Sequence, residues 1–118
     1  MEKIIVAGSR SFNDYGFMCK RLREYLTVNN DGDWTIISGH AKGADSLGET
    51  FAKEHGLKLE IFHADWNKYG KSAGYIRNEK MAKNADTLIA FWDGKSKGTK
   101  HMIDIALDKG LEVHVVRF

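Results

Sequence analysis

The sequence predicts an α/β fold: a single three-layer domain over residues 1–118, with a five-stranded parallel sheet between helices. Three observations predict it. Apolar strand-like runs and amphipathic helix-like runs alternate along the whole chain, which is the signature of successive β-α-β units. The strand-like runs are short, branched and nearly continuous in apolar character, as in Ile4-Ile5-Val6 and Val113-His114-Val115-Val116, the pattern of strands covered on both faces. Three of them run straight into glycine-bearing polar loops that open helices: Gly8-Ser9-Arg10, Ser38-Gly39-His40-Ala41-Lys42-Gly43-Ala44-Asp45, and Asp93-Gly94-Lys95-Ser96-Lys97-Gly98-Thr99.

In order, the elements are a strand at 3–8, a helix at 14–28, a strand at 34–38, a helix at 43–55, a strand at 58–62, a helix at 72–84, a strand at 86–92, a helix at 98–109 and a strand at 112–117. The helices rest on apolar spacing: Phe17, Leu22, Tyr25 and Leu26 in the first, Leu47, Phe51 and Ala52 in the second, Met102, Ile105 and Ala106 in the last. Asn13 and Asp14 are suited to cap the first helix. Gly56 and Gly110 stand where helix C-terminal glycines belong, each followed by a leucine that leads into a strand. Right-handed crossovers then favour the strand order 3-2-1-4-5, which puts the switch point between the first and fourth strands. The segment 63–71 is left as a long connection rich in aromatic and charged residues.

Composition narrows the function. At 118 residues, with 42% hydrophobic and 29% charged residues, the chain reads as an ordinary globular domain. No apolar run approaches the ~20 residues of a membrane span, and the start Met1-Glu2-Lys3-Ile4 is unlike a signal peptide, so a cytoplasmic location is expected. The one cysteine, Cys19, excludes an internal disulfide and reads as a small core residue. The five histidines show no metal-ligand spacing, and no metal or cofactor is expected. A net charge of +2 argues against duplex DNA as a partner. The distribution of charge is more telling, because Arg10, Lys42, Lys68, Lys71, Arg77, Lys95, Lys97 and Lys100 all fall in or beside the loops of one sheet edge.

That edge is where helix N–H groups and helix dipoles attract anions. Gly8 permits a tight turn and a close backbone approach, with Ser9 and Arg10 as donors. Ser38 and Gly39 end a strand, Gly43 and Ala44 enter a helix, and Asp45 in its first turn suits either the dipole or a ribose hydroxyl. Trp66, Tyr69 or Trp92 offers a face for a base, and Arg77 offers a clamp for a phosphate. Gly94, Gly98 and Thr99 form a third cradle. None of these loops is a dinucleotide fingerprint or a Walker A loop, whose glycine and lysine spacings are absent. His40 reads as an exposed loop residue.

Taken together, five blocks in order resemble the SLOG superfamily, in its YspA-like (DUF2493-type) branch, related to the LOG phosphoribohydrolases and the DprA proteins. They are Gly8-Ser9-Arg10 with Phe12, Ser38-Gly39 with Gly43-Ala44-Asp45, Asp65-Trp66 with Tyr69-Gly70, Arg77-Asn78 with Met81, and Gly98-Thr99. The resemblance implies a Rossmann-like domain that binds a nucleotide or a nucleotide-derived molecule such as an ADP-ribose- or NAD-like signal. It also implies homo-oligomers and a role in stress or phage–host conflict. It adds Asp65 and Asn78 to the expected ligand-binding residues. LOG-type enzymes cleave an N-glycosidic bond with an arginine of an Arg-x-x-x-Met motif, which Arg77 and Met81 fit, and a glutamate after Gly-Thr. Here Met102 stands at that glutamate's place. Since a carboxylate stabilises the oxocarbenium-like state, a binding protein that senses or sequesters its ligand is the leading expectation. A nucleotide N-glycosidase using Arg77 and Asp45 is one alternative, and DprA-like binding of single-stranded DNA is another.

Overall fold

The computed structural model describes residues 2–28 and 33–118; Met1 and residues 29–32 lie outside the description. The elements run β1 (Glu2–Gly8), α1 (Tyr15–Val28), β2 (Trp34–Ser38), α2 (Ala44–Glu54), β3 (Lys58–Ile61), α3 (Trp66–Tyr69) continued by a 3-10 turn (Gly70–Ser72), α4 (Ala73–Lys83), β4 (Thr87–Trp92), α5 (Lys97–Asp108) and β5 (Glu112–Arg117). All strand pairs are parallel and the order is β3-β2-β1-β4-β5, a Rossmann-like sheet with the expected switch point.

Register follows from the apolar runs. Ile4 and Ile5 pair with Ile36 and Ile37 on one side, and with Thr87 and Leu88 on the other. Successive side chains of a strand point to opposite faces, so each run feeds two cores. Ile4, Val6, Ile36 and Phe91 pack with Phe12, Met18 and Phe51 on the α1–α2 side. Ile5, Ile37, Leu88 and Ala90 pack with Met81, Met102 and Ala106 on the α4–α5 side. Cys19 is buried in the first core. On α2 the residue facing β1 is Gly48, where an added Cβ would stand 2.8 Å from Val6 Cγ1. The missing side chain lets the helix lie close on the sheet.

Asp14 caps α1, accepting from the Phe17 N–H at 3.0 Å. Gly56 and Gly110 hold φ of +66° and +80° just past α2 and α5, as C-terminal glycines do. Two local expectations change. The segment 63–71 contains a short helix, capped at its start by Asp65, whose Oδ1 accepts from the Lys68 N–H at 3.1 Å. β5 is the sheet's edge and is only partly covered: Val116 is buried in the α1–α2 core and Val113 packs on the α4–α5 core, but Val115 is 41% exposed.

Among the described residues, no helix is long and apolar enough to cross a membrane. Nor does any group of three His, Cys, Asp or Glu side chains among them stand where it could hold a metal ion.

Candidate functional site at the C-terminal edge of the sheet

The loops after β1, β2, β3 and β4 all emerge at one edge, and α4 lies across them as a roof. Between them is a cleft of about 910 Å³, within the range of small-molecule sites. Its floor is the end of β1, with Ala7, Gly8 and Ser9, and the buried side chains of Met81 from α4 and Met102 from α5 line it as well.

The β1 loop is fastened at Ser9. Its N–H donates to the Phe91 carbonyl at 2.9 Å, and its own carbonyl accepts from the N–H groups of Phe12 and Ala44 at 3.1 and 3.3 Å. Its hydroxyl oxygen accepts from the Asp93 N–H at 3.1 Å. One residue therefore ties three loops together. The glycines around it are steric necessities: a Cβ on Gly8 would lie 2.2 Å from the Phe91 oxygen, and one on Gly43 would lie 2.5 Å from the carbonyl oxygens of Ser9 and Arg10. Gly43 also holds a φ of +78° at the start of α2.

From that junction Arg10 enters the cleft exposed, and it makes no ion pair with any described residue. Arg77 reaches in from the roof. Its Nη1 donates to the Gly39 carbonyl at 2.7 Å and its Nε to Asn78 Oδ1 at 3.2 Å. Its pKa is pushed down, first by burial and further by the like charge of Arg10, against the opposing pull of Asp45. Two guanidiniums thus converge on one space, and among the described residues no carboxylate forms an ion pair with either.

Asp45 is 5% exposed. Its carboxylate accepts from the Ala41 N–H at 3.3 Å, and the Gly8 N–H and Arg77 also favour its charge. Burial outweighs them, with the nearby charge of Glu49 adding to it, and raises the Asp45 pKa to about 6. Asp93 is the opposite case: the N–H groups of Ser96 and Lys95, 2.9 and 2.8 Å from its Oδ1, hold its pKa below the usual range.

At the far wall, Ser96 caps α5, accepting from the Thr99 N–H at 3.3 Å. The space beside Gly98 is open, with nothing within 4 Å of an added Cβ. The first N–H groups of α5 have no intrahelical acceptor, and Ser96, Gly98 and Thr99 line the cleft there. Asn78 braces this wall to the roof through Nδ2, at 3.4 Å from the Gly98 carbonyl and 3.1 Å from His101 Nδ1. The exposed rings of Trp66 and Tyr75 stand at the rim, 56% and 49% accessible.

Of the residues expected at the site, Gly8, Ser9, Arg10, Gly39, Asp45, Trp66, Arg77, Asn78, Gly98 and Thr99 line the cleft. The rest are placed otherwise. Ser38 is fully buried and its hydroxyl donates to Glu49 at 2.8 Å, so a ribose contact by this side chain does not match its position. Gly43 and Ala44 shape the crossing of two loops, and Asp65 is a helix cap. Tyr69 lies under Lys68, whose Nζ is 5.2 Å from the ring centre. Trp92 packs on the α4–α5 core, donates from Nε1 to the Ser96 carbonyl at 3.1 Å, and is covered by the Arg117 guanidinium. Gly94 turns at φ +84°, and its Cβ would meet Arg117 Nη2 at 2.2 Å. Among the basic residues, Lys42 and Lys71 join Arg10 and Arg77 in the cleft, whereas Lys100 pairs with Asp104 at 2.7 Å.

Unexpected contributors are Tyr75, His63 and His40. The hints in the sequence were a neighbouring glycine for His40 and Tyr75 and, for His63, its place in the long connection after the third strand.

Comparison with known proteins agrees with this fold. Residues 2–69 match the YAcAr family, described as the YspA, cpYpsA-related SLOG family. The chain belongs to this SLOG family. It is 32% identical over 119 residues to the Gene 61 protein of Mycobacterium phage D29, covering 96% of this chain and 94% of the relative. Among solved structures, this SLOG domain resembles DNA processing protein A (DprA) from Streptococcus pneumoniae, with a TM-score of 0.75 at 21% identity. The likeness covers 98% of this chain but only 50% of the DprA chain, so the domain spans half the length of that neighbour and shares its fold.

Proposed function

We propose that this SLOG domain binds a phosphorylated, nucleotide-derived small molecule in the switch-point cleft, and so senses or sequesters it. The observation that carries the reading is the convergence of Arg10 and Arg77 in one cleft, where Asp45 offsets part of the charge of Arg77 but neither guanidinium forms an ion pair with a described residue. Two like charges held together cost stability unless an anion joins them. The start of α5 beside Gly98 adds N–H donors to the same space. Trp66 and Tyr75 offer flat faces on which a nucleobase stacks. ADP-ribose- and NAD-like molecules combine these features. Isothermal titration with AMP, ADP-ribose and NAD tests the reading: micromolar binding that Arg77→Ala abolishes supports it, and no heat from any of them at high concentration removes it.

A second reading is favoured by one observation. Asp45 and Asp93 both line the cleft, and their surroundings push their pKa values in opposite directions. Such a split is how paired carboxylates divide acid and base roles. Met102 leaves the α5 position without a carboxylate, so an N-glycosidase here would depend on Asp45 to protonate the leaving base and on Asp93 to stabilise the sugar cation. Free base released from a nucleotide panel, and lost in Asp93→Asn, supports turnover; intact nucleotides leave binding alone.

A further inference from the structure

His40 is the one non-glycine residue, among those described, with positive φ, at +61°. A histidine in the left-handed region is uncommon, and such strain persists where the surroundings impose it. Here they do so through a chain of contacts that starts from the buried Ser38–Glu49 pair. Ser38 Oγ accepts from the His40 N–H at 3.0 Å and donates to Glu49 Oε2 at 2.8 Å, and the same carboxylate oxygen lies 2.9 Å from His40 Nδ1. Glu49 is 7% exposed, yet the side chain of His40 is 52% exposed and lines the cleft.

A carboxylate accepts only, so its contact fixes Nδ1 as the protonated nitrogen and leaves Nε2 as the atom turned outward. A buried carboxylate needs a cationic or hydrogen-bonding partner, and His40 is the one ion-pair partner Glu49 has among the described residues. Gly39, the immediate neighbour of His40, holds the Arg77 guanidinium through its carbonyl at 2.7 Å. The imidazole and the guanidinium therefore occupy one wall a single residue apart, the arrangement that suits two linked phosphoryl groups.

We propose that His40, held by Glu49, forms a second anion subsite in the cleft, donating from Nε2 to a phosphoryl oxygen and taking up a proton to do so. The inference rests on the nucleotide reading above and deepens it: the preferred ligand carries a diphosphate rather than a single phosphate. The proton comes from solvent, and on binding both ring nitrogens are donors, Nδ1 to Glu49 and Nε2 to the ligand. The groups facing His40 are Glu49 and Asp45 from α2, His63 from the segment after β3, whose ring is 5.0 Å away, and Arg77 from α4, with Lys42 on its own loop. Asp45 is the competing source of proton uptake, and comparison with His40→Asn, which leaves Asp45 in place, separates the two.

The test is calorimetric titration of AMP and ADP near neutral pH, in two buffers of different ionisation enthalpy. The wild-type chain is compared with His40→Asn, a residue that tolerates the left-handed backbone. We expect ADP to bind about tenfold tighter than AMP, as one added charge-assisted contact implies, with additional proton uptake. His40→Asn removes both the preference and the extra proton, so that ADP and AMP bind with equal affinity. Glu49→Gln, checked for folding by circular dichroism, weakens the preference in the same direction. Equal affinities and equal proton uptake for the two ligands overturn the diphosphate subsite alone. No binding of either ligand overturns it together with the nucleotide reading.

Discussion

Arg77 is moored to Gly39 by a 2.7 Å hydrogen bond from Nη1 to the backbone carbonyl, which joins the roof of the cleft to the loop after β2. An alanine at position 39 would put its Cβ 3.0 Å from Arg77 Cδ and Nε and from Asp45 Oδ2. Gly39 is not among the residues with positive φ, so the backbone accepts the change and the effect falls on the two charged side chains. Gly39→Ala is expected to weaken ligand binding by about tenfold while costing no more than about 1 kcal/mol of stability. Titration calorimetry and urea unfolding of the same sample separate the two effects.

Gly8→Ala should behave differently. Its Cβ would lie 2.2 Å from the Phe91 carbonyl oxygen and 2.8 Å from Ala44 Cβ, where β1, β4 and α2 meet. Backbone has no room to yield, so a loss of roughly 3 kcal/mol or more is expected. A midpoint in urea close to that of the wild type would contradict the packing described at this junction.

Asp45 sets a pH dependence of stability. Its folded pKa, about 6, lies above the 3.8 of the free carboxyl, so the folded state holds this proton more tightly than the unfolded one. Its contribution is most favourable below the unfolded value and is lost as pH rises through 6. The penalty near neutral pH amounts to about 3 kcal/mol. Asp45→Asn is expected to raise stability at pH 7.5 and to flatten the slope between pH 4 and 6. A slope that survives the substitution would assign it to another group.

At the opposite edge of the sheet, the Tyr25 hydroxyl lies 2.9 Å from Glu2 Oε2 and 3.1 Å from Glu112 Oε2, and Thr87 Oγ1 donates to the same Glu2 oxygen. Burial, aided by these two carboxylates, pushes the phenol's pKa upward. Tyr25→Phe takes away the donor that these acids share and is expected to cost about 1 kcal/mol, with nucleotide affinity unchanged. A change in affinity would couple the two ends of the sheet, which the fold described above does not do.

Local chemistry made the layers legible and longer-range pairing hid the rest. The branched runs at Ile4, Ile36 and Leu88 and the glycines at 56 and 110 carry their structure within a few residues, so order and turns could be read directly. Val115 reads like those runs, but its exposure depends on β5 having a neighbour on one side only. α3 has four residues, too few to show a period. In the cleft, the placement of Arg10 just past β1, of Gly98 at the start of α5 and of Arg77 in α4 was legible because basic residues and glycines at strand-to-helix turns, or on the helix beside them, gather at one sheet edge whatever their partners. Ser38 was misplaced because its partner, Glu49, lies eleven residues on and across a helix turn. Gly94 and Trp92 looked like site residues until Arg117, from the last strand, covered both.

The four hydrogen bonds at Ser9 have a mechanical consequence. The loop after β1, the start of α2 and the loop after β4 are pinned through one residue, so none of them can move toward a ligand without drawing on the other two. A cleft built this way would not fold around a guest. It would spend little entropy on capture, and under the proposal above it would tell one phosphate from two by where its fixed donors stand, as a gauge does, instead of by how far a flap can close.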